Sequence, residues 1–156
     1  MQHPHSIWRA LLSGLILMGA SSWATAQTTP EPVGYVKTVT GEAFVITASQ
    51  SVKAQPGTPV LLGSVLKTTP ASSMGITFKD NTLMSFGPDT EMAVDEYIYA
   101  PAEGNLKLST RLTRGTLNYI SGVIAKLKPT AVSVTTPTGI IGVRGTQFVA
   151  KVEAPQ

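Results

Sequence analysis

The chain has 156 residues, with 12 Lys and Arg against 9 Asp and Glu and no cysteine, enough for one globular domain and crowded for two. Without cysteine there is no disulfide, no thiolate metal site, no cysteine nucleophile and no lipid-anchored N-terminal cysteine. The net charge of +3 is spread without any Lys/Arg block or interleaved aromatics, which argues against a nucleic-acid partner.

Residues 1–26 read as a Sec-type signal peptide. Arg9 precedes the apolar run Ala10 to Ala20, and Ser21-Ser22-Trp23 leads to Ala24-Thr25-Ala26, small residues of the kind a signal peptidase reads. Cleavage is expected between Ala26 and Gln27, giving a periplasmic or secreted chain with no stable membrane insertion. An uncleaved anchor is the alternative, because the uncharged run from Ala10 to Ala26 is close to the length that spans a bilayer. Cleavage removes His3 and His5, the only histidines, so the mature chain has no imidazole to act as general base or metal ligand. Residues 27–32 (QTTPEP) carry no core pattern and are expected to form a flexible leader.

From residue 33 to residue 153, glycines and prolines separate short runs with a period of two, the mark of half-buried strands. The runs are Gly34 to Val39, Ala43 to Thr47, Val60 to Leu66, Met92 to Tyr99, Leu83 to Phe86, Leu117 to Ile120 and Val132 to Thr135. Ile76 and Phe78 lie on a strand that stops at the turn pair Asp80-Asn81. Leu106, Leu108 and Leu112 share one face against Lys107, Ser109, Arg111 and Thr113 on the other. Phe148, Ala150 and Val152 repeat the pattern, with Val149 on the polar parity. The expected fold is all-β, a single domain of about ten short strands, sandwich-like or β-solenoid-like. Arg114-Gly115-Thr116 recurs as Arg144-Gly145-Thr146, an echo that stacked coils would produce.

Nucleotide, zinc and serine-nucleophile signatures such as GxGxxG, HExxH and GxSxG are missing, and no residue set points to catalysis or a cofactor. The glycines from Gly139 to Gly145 read as strand bends, not as a phosphate loop. Asp89, Glu91, Asp95 and Glu96 form an acidic cluster without calcium-loop spacing, which reads as a solvated strand edge. Arg144, set between Val143 and Gly145, either locks the closing strand through a salt bridge or carbonyl contacts or serves partner recognition. Gly145 is expected to supply a backbone conformation or close approach that a β-branched residue cannot take.

The run from Tyr119 to Lys126 (YISGVIAK), then Val132 to Gly139 (VSVTTPTG) and Ile141 to Thr146 (IGVRGT), resembles the hallmark of the FecR domain family. Gly63 to Thr68 resembles its G-d-x-l-x-T turn, Phe78 to Leu83 its D-G-S/T hairpin and Leu112 to Gly115 its later strand and glycine. The likeness runs from about Gly34 to Val152. Asn81 stands where the family usually has glycine, and asparagine tolerates the same positive φ. The residues carried over as family motif, structural or for recognition, are Ser121, Gly122, Thr136, Pro137, Gly142, Arg144, Gly145 and Thr146.

The resemblance implies an all-β periplasmic domain that relays a signal by binding an envelope protein, here as a free-standing exported module serving a separate membrane sensor. A glycan- or peptidoglycan-binding module is the other class, and an exposed platform of Tyr97 and Tyr99 would favour it.

Overall fold

Side chains that alternate between apolar and polar suit a pleated ladder with one face in the core, and the chain uses this device throughout. A computed structural model describes residues 30–48 and 50–153. The expected signal peptide and cleavage site lie outside the described residues. The strands are β1 (Gly34–Thr40), β2 (Ala43–Ile46), β3 (Ser51–Lys53), β4 (Pro59–Val60), β5 (Val65–Thr68) and β6 (Ser73–Phe78). They continue as β7 (Leu83–Phe86), β8 (Glu91–Ala100), β9 (Asn105–Ile120), β10 (Val132–Thr136), β11 (Gly139–Gly142) and β12 (Gln147–Val152), with one short helix α1 (Val123–Leu127) after β9.

The strands make one sheet folded about β9. The first part of β9 pairs antiparallel with β8 and parallel with β10, and its last part pairs antiparallel with β7 and β12. Beyond β8 lie β5, β2 and β3, while beyond β7 lie β6, β1 and β4. Both halves close on one core: Val36, Ile76 and Phe78 come from one, and Leu66, Met92 and Leu108 from the other. The rings of Phe78 and Tyr97 stack across the halves with centroids 5.4 Å apart. Each fully buried side chain of this size stabilises the fold by about 1.5–3 kcal/mol. Of the two expected architectures the sandwich-like one is present, because a solenoid would repeat parallel pairing and only β9 with β10 is parallel among the described strands.

Several expectations change in detail. The runs Leu106 to Leu112 and Leu117 to Ile120 are one 16-residue strand, not two short ones. Leu112 and Leu117 are both buried although their parity differs, and the switch falls at Gly115, whose φ is +90°. A β-bulge between Val94 and Glu96 does the same in β8, so the inward face passes from Met92 and Val94 to Tyr97 and Tyr99. The expected strand from Val60 to Leu66 is β4 and β5, divided by a turn in which Ser64 N–H donates to Leu61 O and Gly63 has φ +78°. Of the glycines read as strand bends, Gly139 and Gly142 lie in strand β11 and Gly145 in the bend that follows it, and β3 carried no apolar alternation to announce it. Asn81 takes the expected positive φ, at 65°. The echoed triplets are not equivalent: Gly115 lies inside β9, whereas Gly145 lies in the loop between β11 and β12.

Candidate functional site

The eight motif residues divide into a buried clasp and an exposed edge. The clasp starts from Asp80, which is fully buried in the turn between β6 and β7. Its carboxylate accepts from Thr82 N–H at 3.2 Å, Thr82 Oγ1–H at 2.7 Å and Ile124 N–H at 3.2 Å. Its backbone carbonyl accepts from Val123 N–H at 2.7 Å. Two amides at the start of α1, which no residue of the helix itself could satisfy, are thereby capped from a distant turn. Gly122 N–H donates to Thr82 Oγ1 at 3.2 Å, and a Cβ on Gly122 would overlap the Thr82 amide and the Asp80 carbonyl. Ser121 extends the clasp outward: its Oγ–H donates to Gly145 O at 2.6 Å and its N–H to Thr146 O at 2.8 Å.

Tyr97 also belongs to the clasp. Asp80 N–H donates to its Oη at 2.9 Å, and burial, followed by the nearby Asp80 carboxylate, pushes its phenol well above the usual tyrosine range. With its ring on Phe78 and its hydroxyl engaged, Tyr97 is not half of a free stacking platform. Tyr97 and Tyr99 instead line a depression of about 260 Å³ bordered by Glu31 and Lys79, which form an ion pair.

Three of the four acids of the cluster are spent on cross-strand pairs, and Asp89, in the turn before β8, makes no ion pair among the described residues. Glu91 meets Lys67 at 3.1 Å and Arg114 at 3.5 Å, Asp95 meets Arg111 at 3.0 Å, and Glu96 meets Lys107 at 3.8 Å. These exposed or partly exposed pairs contribute about 0.2–1 kcal/mol each. No group of three or more acidic, histidine or cysteine side chains converges on a cation site among the described residues.

Thr136 ends β10 and Pro137 opens the turn of the β10–β11 hairpin, where Thr136 Oγ1–H donates to Gly139 O at 2.9 Å. Gly142, Arg144, Gly145 and Thr146 are all exposed. Arg144 makes neither the salt bridge nor the carbonyl contacts that would lock the closing strand, among the described residues. Gly145 has φ +148°, which favours glycine, but no atom of the described residues lies within 4 Å of where its Cβ would stand. The backbone reason for the glycine holds and the close approach does not.

The exposed edge extends past the motif. Among the described residues β11 is hydrogen-bonded to β10 alone and β12 to β9 alone, so each leaves one edge open. Ile140 is 72% exposed and Val149 65%, and both line a groove of about 320 Å³ between the two strands. A second groove of about 250 Å³ continues it past Ile141 and Phe148 to Arg144. The other edges are defended: β3 has three residues and ends in Lys53, and β4 has two and begins with Pro59. Charge and proline on an edge deter strand addition, and β11, with the sequence GIIG, has neither.

These features define an all-β module with an internal clasp and an unguarded sheet edge. The family model described as FecR protein matches residues 64–156, and the chain belongs to the FecR family. The match begins at Ser64, so β1 to β4 lie outside it although they pair into the same sheet. No curated protein and no solved structure matches. The family is a regulatory one, and no helix among the described residues is long and apolar enough to cross a membrane.

Proposed function

We propose that the chain is exported, begins at Gln27 once processed, and acts in the periplasm as a binding module that passes a signal to an envelope sensor by holding another protein. The observation that carries this reading is the β11 edge, open, apolar and free of the lysine or proline that guards β3 and β4. An open edge offers backbone donors and acceptors to an added strand, which gives affinity without special side chains. Membership of a regulatory family supports relay over turnover. Crosslinking in intact envelopes is the test, with intact mass of the recovered protein to fix its first residue. A specific protein partner, and a mass beginning at Gln27, is the expected result. Retention on purified peptidoglycan with no protein partner would replace the reading with glycan binding, and membrane-held protein that keeps Met1 would replace export with anchoring.

A further inference from the structure

The reading above leaves the partner's chemistry open, and resting on it, we infer that the cleft between β11 and β12 takes an extended, acidic segment of another protein, which completes the sheet between them. The cleft is bounded by two open strand edges joined at one end by the loop 143–146. Ile141 and Val149 line both of the grooves that make it up, so a segment laid along it meets apolar side chains over its length. Counted from the two-residue turn Pro137-Thr138, alternate pairs of the β10–β11 ladder point their amides inward and outward. The N–H groups of Ile140 and Gly142 fall on the outward set.

Charge selects the occupant. Residues 104–152 contain no Asp or Glu. Their cations Lys107, Arg111 and Arg114 are matched by acids of β8, and Lys151 by Glu153. Lys126, Lys128 and Arg144 have no carboxylate within ion-pair range among the described residues. Arg144 stands at the closed end of the cleft. It also lines an adjoining depression with Pro129 and Ile140, and Lys128 directly precedes Pro129. An occupant with carboxylates at that end and apolar residues along its middle matches both features, whereas a basic one would be repelled.

The test uses two fluorescently labelled short peptides of alternating valine and threonine, one ending in aspartates and one in lysines. The purified mature protein should bind the acidic peptide about tenfold more tightly at low salt. Arg144→Glu should abolish that preference, and Ile140→Pro, which removes an outward amide without touching the β10 ladder, should weaken binding of the acidic peptide. Ser51→Pro, which removes an outward amide on the β3 edge, should leave both peptides unaffected. Equal binding of the two peptides, or an unchanged preference in Arg144→Glu, overturns the inference. A photoreactive residue in the exported chain separates this outcome from failure of the wider reading. A protein crosslinked from position 140 and lost in Arg144→Glu supports the cleft. A protein crosslinked from position 52 but not 140 overturns the cleft and leaves protein binding standing. Glycan alone overturns both readings, and a crosslinked second copy of this chain overturns the choice of occupant.

Discussion

Asp80→Ala is the sharpest perturbation of the clasp. The carboxylate that it removes accepts three close hydrogen bonds, from Thr82 N–H, Thr82 Oγ1–H and Ile124 N–H, and a fourth at 3.4 Å from Tyr97 Oη–H. The residue is fully buried, so water cannot readily replace the lost acceptor. Hydrogen bonds to a charged group contribute about 1.5–3 kcal/mol each, but the native carboxylate also bears a desolvation cost that the mutation relieves. Those opposing effects leave an expected loss of about 3–5 kcal/mol, a large share of a typical domain's stability of about 5–15 kcal/mol. Asp80→Asn keeps the shape and one acceptor oxygen but turns an amide donor toward donors, so about 2 kcal/mol is expected. Urea unfolding followed by tyrosine fluorescence and circular dichroism measures both, since the chain beyond Gln27 has no tryptophan. An unchanged m-value with a lowered midpoint identifies a loss of stability. A loss under about 1 kcal/mol for Asp80→Ala would refute the claim that the carboxylate holds α1 to the β6–β7 turn.

Gly122→Ala should cost about 2 kcal/mol or more in the same assay, because the new methyl meets backbone atoms that cannot swing aside. Gly145→Val should cost about 1–2 kcal/mol and leave the domain folded, since its φ is unfavourable but its surroundings are open. Full unfolding would show that the loop is more tightly held than the open space around it implies. The raised phenol of Tyr97 makes stability complete below the ordinary tyrosine value and progressively lost at higher pH, as the unfolded state releases a proton that the folded state keeps. Thermal melts should therefore fall from about pH 10 upward, and Tyr97→Phe should flatten that fall. Chelators should leave the melting temperature unchanged, and a drop reversed by calcium would revive the stretch from Asp89 to Glu96 as a cation site.

Much of the ladder was legible because its alternation is local. Leu106, Leu108 and Leu112 are buried and Val149 is exposed, as their parities require. What the parity could not show was where it changes. At Gly115 a positive φ lets β9 run on with its faces exchanged, and the alternation taken alone reads as two strands. The clasp was half visible: the Asp80-Asn81 turn and the Ser121-Gly122 pair each stood out, but their meeting spans a sequence separation of 40 for Gly122 and Thr82. Nothing short-range announces such a contact. The β11 edge was hidden for the opposite reason, since two isoleucines between glycines are too short a run to separate a strand from a bend. Arg144 stood out as an unusual charge, yet its freedom from any carboxylate among the described residues depends on the acids of β8 being taken by nearer cations.

The long strand β9 also governs how the molecule comes together. A strand that sits inside both halves of a folded sheet makes neither half an independent folding unit. The first eight strands can collapse as they are made, but β7 and β8 do not gain their shared neighbour until residues 105–120 join them. β8 meets β9 as a local hairpin, but the joining of β7 to β9 is a non-local step, the kind that slows all-β domains to milliseconds or longer. Under the export proposed above, a chain held unfolded while it crosses a membrane would gain time from this order of events. A break in the middle of β9 would cost the whole domain its cooperativity, not one half its sheet.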